Sequence, residues 1–182
     1  MWETLQRPKV MGIVNVTPDS FSDGGRHDTT AAAIAHGLKL IADGADLLDI
    51  GGESTRPGAT AVGAAEEIAR VVPVTEGLRG AAPISIDTMK PAVARAAVAA
   101  GATIWNDVAA LTAPGACETA ADLRCEVGLM HMLGEPRTMQ DDPRYDDVVA
   151  EVEAFLLARA EAAMAAGVAR DRIRLDPGML DG

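Results

Sequence analysis

Asp87, Asn106 and Asp176 each stand near the C-terminal end of a short apolar run, where a polar tip can face a ligand. In Ile84-Ser85-Ile86-Asp87 the isoleucines share one face and Ser85 and Asp87 the other. The same alternation groups Asn15 with Met11 and Ile13, Asn106 with Ile104, Met130 with Met132, and Asp176 with Arg174. Two carboxylates and an amide around one mouth suit a flat heterocycle with adjacent N–H groups on its edge, because a carboxylate accepts two parallel donors. Met130 offers a soft apolar wall for such a ring. The opposite polarity comes from Glu53-Ser54-Thr55-Arg56-Pro57-Gly58, which sets a hydroxyl beside a guanidinium on a stiffened turn and suits a phosphate. Pairing of Arg56 with Glu53 or Glu66 is the plainer alternative.

The elements that must position these residues alternate regularly. Apolar runs at 10–17, 46–52, 83–88, 103–108, 127–132 and 172–178 read as strands, and Ala- and Leu-rich stretches at 29–42, 64–78, 91–100, 117–124 and 146–166 as helices. In the first helix Ile34, Leu38 and Ile41 form one stripe; in the second, Pro73 is expected to bend or interrupt the helix. Strands separated by helices imply a parallel sheet, either closed as a barrel or open and doubly wound. No GxGxxG follows the first strand, which weakens the dinucleotide-binding reading. Polar tips spread over five or more strands favour the barrel, whose βα loops all look onto one mouth. No linker or low-complexity tract divides the chain, so 1–182 reads as one α/β domain.

Composition narrows the function further. A formal charge of −11 argues against general nucleic-acid binding, while leaving an anionic small molecule open to local cations. Cys117 and Cys125 match neither a zinc knuckle nor a redox CxxC pair and read as free thiols in a reducing cytoplasm. Residues 1–9 lack the apolar core of a signal peptide, and no run is long enough to span a membrane, so a cytoplasmic protein is expected. His131 reads as a satisfied core histidine, and no His/Asp/Glu spacing supports structural zinc.

Two long runs are more specific. Met11-Gly12-Ile13-Val14-Asn15-Val16-Thr17-Pro18-Asp19-Ser20-Phe21-Ser22-Asp23-Gly24-Gly25 and Asp49-Ile50-Gly51-Gly52-Glu53-Ser54-Thr55-Arg56-Pro57-Gly58 resemble the first two signatures of the dihydropteroate synthases. Ser85-Ile86-Asp87-Thr88, Asn106-Asp107-Val108, Leu129-Met130-His131-Met132 and Leu175-Asp176-Pro177-Gly178 follow in that family's order. The resemblance implies a TIM (β/α)8 barrel of folate biosynthesis, which joins 6-hydroxymethyl-7,8-dihydropterin diphosphate to 4-aminobenzoate and is a target of sulfonamides. It implies that Asp87, Asn106 and Asp176 hold the pterin with Met130 against its ring, and that Asn15 contacts Mg²⁺. Thr55 and Arg56 would lie near the diphosphate, with Asp87 and Arg56 serving the chemistry. Phe21 and Pro57 would shape the aminobenzoate pocket.

The pattern departs from the family's after Asp176-Pro177-Gly178, where Met179-Leu180-Asp181-Gly182 replaces a Gly-Phe-Gly-Lys-like stretch. About six strands and five helices are therefore expected, without strands 7 and 8, their lysine and Arg-x-His, or the helices of the family's homodimer. A chain of this kind is expected to turn over poorly or only to bind pterin; a pterin-dependent methyltransferase is a further alternative. Arg174, inward by parity, needs a partner, and Asp49 is one candidate.

Overall fold

The computed structural model of the protein describes residues 7–17, 26–53, 61–132 and 145–178. Six strands and five helices alternate: β1 (Met11–Asn15), α1 (Arg26–Ala42), β2 (Leu47–Gly51), α2 (Ala64–Leu78), β3 (Ile84–Asp87), α3 (Pro91–Ala100), β4 (Ile104–Asp107), α4 (Ala116–Leu123), β5 (Glu126–Met130), α5 (Val148–Ala165) and β6 (Ile173–Asp176). All strand pairs are parallel, and the order across the sheet is β1-β2-β3-β4-β5-β6. A doubly wound sheet would reverse direction at a switch point near its middle. Unbroken sequential order is that of a (β/α)8 barrel wall, here open among the described residues.

Burial assigns the two faces. Val14, Leu48, Ile50, Ile84, Ile86, Trp105, Val127 and Leu129 are buried on the helix-covered side. On β1 the opposite face carries Met11, Ile13 and Asn15, all exposed. This alternation confirms the parity expected from the apolar runs; the strands end one or two residues short of those runs, and β5 begins one residue earlier, at Glu126.

Local chemistry explains the helix limits. Pro91 supplies the fixed backbone angle of the first turn of α3, and Gly101 (φ 129°) ends that helix. Asp147 caps α5 by accepting from the Ala150 amide at 3.1 Å, while Glu151 Oε1 accepts from the amides of Asp146 and Asp147. Two expectations are corrected. Of the bend or interruption expected at Pro73, interruption does not occur: α2 runs through it, and Pro73 lies on the exposed side, where water can satisfy the carbonyl left without an N–H partner. The buried stripe of α1 runs through Ala33 and Gly37 rather than Leu38, which is exposed. Gly37 sets this geometry, since a Cβ there would lie 2.8 Å from Leu78 Cδ1 and 3.2 Å from Leu48 Cδ1.

Both thiols are free; Cys117 lies in α4, and Cys125 is buried just beyond it. Among the described residues, no helix is long and apolar enough to cross a membrane.

Candidate active site

Strand register brings the polar tips into lines across the uncovered face. Asn15, Gly51, Asp87, Asn106, Gly128 and Arg174 are successive partners from β1 to β6. Two residues toward the strand starts, on the same face, lies the line Ile13, Asp49, Ser85, Ile104 and Glu126. Two residues toward the strand ends, Met130 partners Asp176. The structure thus gathers Asn15, Asp87, Asn106, Met130 and Asp176 on one face, in two adjacent tiers. Phe21, Thr55, Arg56 and Pro57 lie outside the described residues.

Glycine shapes this floor at two points that the side-chain reading overlooked. A Cβ at Gly51 would lie 3.5 Å from Asp87 Oδ2 and 3.7 Å from Asn15 Oδ1, so its absence leaves a notch between those oxygens. A Cβ at Gly128 would lie only 2.9 Å from Asn106 Oδ1, inside normal contact. Both glycines share the parity of the polar tips, which is the signal that could have marked them.

Asp49, expected only as a partner for Arg174, holds a different place on this face. It is 5% exposed and lies beneath the Asp87 tier, where Asn106 Nδ2 donates to its Oδ2 at 3.2 Å. The Ser85 hydroxyl is near enough to favour the ionised form, yet neither Ser85 Oγ nor Asp49 Oδ1 completes a hydrogen bond of good geometry. Burial raises the Asp49 pKa against the opposing pull of Ser85 and Asn106. Arg174 turns elsewhere than expected: its Nη2 pairs with Glu126 Oε2 on adjacent β5 at 3.2 Å, and its Nη1 donates to Asp171 and Ile173 carbonyls. The neighbouring strand offers a carboxylate directly, so the guanidinium does not depend on Asp49.

Asp87 is the most perturbed acid on this face. Burial first, then the charges of Asp49, Asp107, Glu67 and Glu53, push its pKa up to about 8. Its Oδ1 is buried without a partner. A ligand presenting N–H donors would satisfy this oxygen and favour the carboxylate.

The surrounding backbone is held firmly. Trp105, fully buried behind the sheet, donates from Nε1 to the Thr88 carbonyl at 2.7 Å, and the Thr88 amide donates to the Asn106 carbonyl at 3.1 Å. These bonds fix the ends of β3 and β4. Beyond Asn106, Asp107 accepts from the Ala109 and Leu111 amides, and Arg159 donates to the Ala110 and Leu111 carbonyls at 2.8 and 2.7 Å. Together they secure a turn in which Ala110 (φ 51°) and Leu111 (φ 58°) are both left-handed, a costly state for residues with side chains. Burial raises the Asp107 pKa to about 6, despite the opposing amides and Arg159. At β6, Asp176 Oδ1 accepts from the Gly178 amide at 2.9 Å. Gly178 (φ 72°) has no room for a Cβ, which would meet the His131 carbonyl oxygen at 2.6 Å. His131 is itself buried against Tyr145 and Phe155, as a core histidine should be.

A parallel wall in sequential strand order, with acceptors tiered at its C-terminal strand ends, is the architecture of barrel enzymes that build their sites on that face. Residues 11–182 match the pterin binding enzyme family, and the chain belongs to that family. It is 49% identical over 176 residues to the dihydropteroate synthase of Escherichia coli strain K12, covering 96% of this chain and 62% of that protein. Against the dihydropteroate synthase of Neisseria meningitidis serogroup C, identity is 52% over 183 residues, covering 98% and 64%. Xanthomonas albilineans dihydropteroate synthase with 4-aminobenzoic acid matches with a TM-score of 0.87 and 62% identity, covering 95% of this chain and 62% of that one. The same enzyme in complex with 7,8-dihydropteroate matches with a TM-score of 0.84 and 57% identity, covering 97% and 62%. The chain therefore spans less than two thirds of the length of these relatives.

Proposed function

We infer that this chain carries the pterin half of a dihydropteroate synthase site, acting in the condensation of 6-hydroxymethyl-7,8-dihydropterin diphosphate with 4-aminobenzoate. The observation that carries this reading is the pairing of Asp87 with Asn106 on one face, above buried Asp49 and beside Met130 and Asp176. An ionised Asp87 accepts two parallel N–H groups from the pterin edge, Asn106 and Asp176 take further polar positions, and Met130 lies against the ring. In the reaction the C–O bond between the pterin methylene and diphosphate breaks, and the diphosphate leaves with the electron pair. The arylamine nitrogen then forms the new C–N bond and gives up a proton. Carboxylates around the ring favour the positive charge that develops at the methylene. Thr55 and Arg56 would hold the diphosphate, and Phe21 and Pro57 would border the arylamine. The match to synthases gives methyl transfer no comparable support.

Mg²⁺ fits this site in a limited way. Among the described residues, no group of three or more His, Cys, Asp or Glu side chains could hold a metal. Asn15 Oδ1 borders the Gly51 notch and offers one neutral oxygen, which suits an ion that keeps several waters and binds largely through substrate phosphates. When bound there, Mg²⁺ would neutralise charge on the departing diphosphate.

Calorimetric titration of the chain with 6-hydroxymethylpterin tests the pterin reading. Asp87→Asn should weaken binding by about 10- to 100-fold, the worth of a charge-assisted hydrogen bond. Equal affinity for both forms would refute the assignment. Release of diphosphate on adding 4-aminobenzoate and Mg²⁺ tests the reaction itself.

A further inference from the structure

Asn106 can offer a ligand either of two opposite polarities. The ends of its side-chain amide have nearly the same shape, but Oδ1 accepts a hydrogen bond and Nδ2 donates two. Which end faces a ligand is decided by what holds the other. Here Nδ2 donates to Asp49 Oδ2 at 3.2 Å. Oδ1 turns the other way, over Gly128 of β5, where a Cβ would stand 2.9 Å from it. Gly128 shares the tier of Asn106, and Met130 and Asp176 form the next tier toward the strand ends. The donor end of the amide therefore lies on the Asp49 side, and the acceptor end on the Met130 side.

Asp49 reaches Asn106 across β3. It stands on β2 level with Ser85, one tier below the line through Gly51, Asp87 and Asn106. Ser85 holds the position between β2 and β4, where a bulkier side chain would close the path. Asp49 is buried, so bulk water does not replace the bond once it is lost. Burial favours the protonated acid, but with Nδ2 already on Oδ2 the proton falls to Oδ1, and Oδ2 still accepts. Turning the amide over would set oxygen against oxygen in a buried place. Stability alone gives no reason for this acid: a buried carboxyl group with one oxygen unpartnered is a poorer filler than an apolar residue of its size.

We propose that Asp49 is a positioning residue that determines specificity: by holding the nitrogen of the Asn106 amide, it turns the oxygen to the ligand and makes that position read a donor. This rests on the pterin reading above. A ring with an amino group on the facing edge is accepted. A ring with an oxo group in its place is refused, because oxygen would meet oxygen. Asp49 acts through Asn106 and touches no substrate atom.

The test titrates the chain, Asp49→Leu and Asp49→Asn with two probes. One is 6-hydroxymethylpterin; the other is 6-hydroxymethyllumazine, in which an oxo group replaces the 2-amino group and N1 carries a hydrogen. Exchange of the Asn106 side-chain NH2 protons is followed by NMR. Leucine matches the branching of aspartate and cannot accept, whereas asparagine can still accept from Asn106 Nδ2 through its own oxygen. Asp49→Leu should weaken pterin binding about tenfold and leave lumazine binding within about twofold, so that the preference for pterin falls. Its Asn106 NH2 protons should exchange about tenfold faster. Asp49→Asn should keep the preference within about threefold. Equal loss for the two probes in Asp49→Leu, unchanged Asn106 exchange, or a loss of preference in Asp49→Asn as large as in Asp49→Leu would each overturn the positioning role. If the unsubstituted chain shows no preference for pterin, the pterin reading itself fails, and the positioning role falls with it.

Discussion

Asp87 concentrates the conflict between stability and binding in one carboxyl group. Its pKa is about 8 in the folded protein against an ordinary 3.8, so between those values the folded state holds a proton that the unfolded state has lost. This contribution to stability therefore falls as pH rises through that window. Asp107, raised to about 6, adds a similar slope over the lower part of the range. Asp87→Asn should raise Tm at pH 7 by several degrees, at about 2–4 °C per kcal/mol for a chain of this size, and flatten the loss of stability toward pH 8. Thermal melts at several pH values check this, and an unchanged pH slope in the variant would contradict it. Pterin binding near pH 7 should also expel about one proton, because two N–H donors demand the carboxylate form. That proton is read from the dependence of binding enthalpy on the ionisation enthalpy of the buffer. Gly128 gives a second prediction at this scale. Gly128→Ala would place a methyl 2.9 Å from Asn106 Oδ1, so pterin affinity should fall about tenfold while stability changes by less than about 1 kcal/mol. Calorimetry and chemical denaturation of that variant distinguish the two effects.

At the scale of elements, the turn from β4 into α4 is the most demanding piece of backbone. Two left-handed residues are kept in place by Asp107 from below and Arg159 from α5. Arg159→Met removes the donors to the Ala110 and Leu111 carbonyls. It should cost about 2 kcal/mol in urea denaturation, with a smaller loss of pterin affinity through Asn106. The reverse order of effects would mean that Arg159 bears on the site more directly. This turn also marks where sequence reading loses its hold. Alternation of Ile84, Ser85, Ile86 and Asp87 was enough to send the isoleucines to the helices and the carboxylate to the open face, since period two is a local property. The same parity located Asn106 and Met130. Asp107, by contrast, is a buried acid whose partners are amides two and four residues onward, and Arg159 lies 48 residues from Leu111. Neither relation leaves a periodic trace. Arg174 failed as an Asp49 partner for a similar reason, because choosing among acids on different strands requires the register that sets Glu126 beside it. At Pro73 exposure, rather than residue type, decides that the helix continues, because water can satisfy the carbonyl left unpaired.

For the whole molecule, the sign of the electric field opposes the proposed substrate. A net charge of −11 repels a diphosphate ester at long range, while the cations that would grip it act only over a few ångströms. Salt should therefore raise the association rate of pterin diphosphate, about two- to threefold between low and physiological ionic strength, as the repulsion is screened. Stopped-flow measurement decides this, and a falling rate would point to an attractive local field at the mouth. Sequential parallel strands, helices behind them and polar tiers on the open side follow from element order, whereas the glycine notches follow from three-dimensional register. Trp105 has a further consequence. It is one of two tryptophans in the chain, sealed from solvent and hydrogen-bonded to the backbone that immediately follows Asp87. With Trp2 replaced by phenylalanine, its indole becomes a single optical gauge on the reverse side of the site. Its emission would report, without any added label, whether a change of pH, ligand or side chain has disturbed the wall on which the acceptors stand.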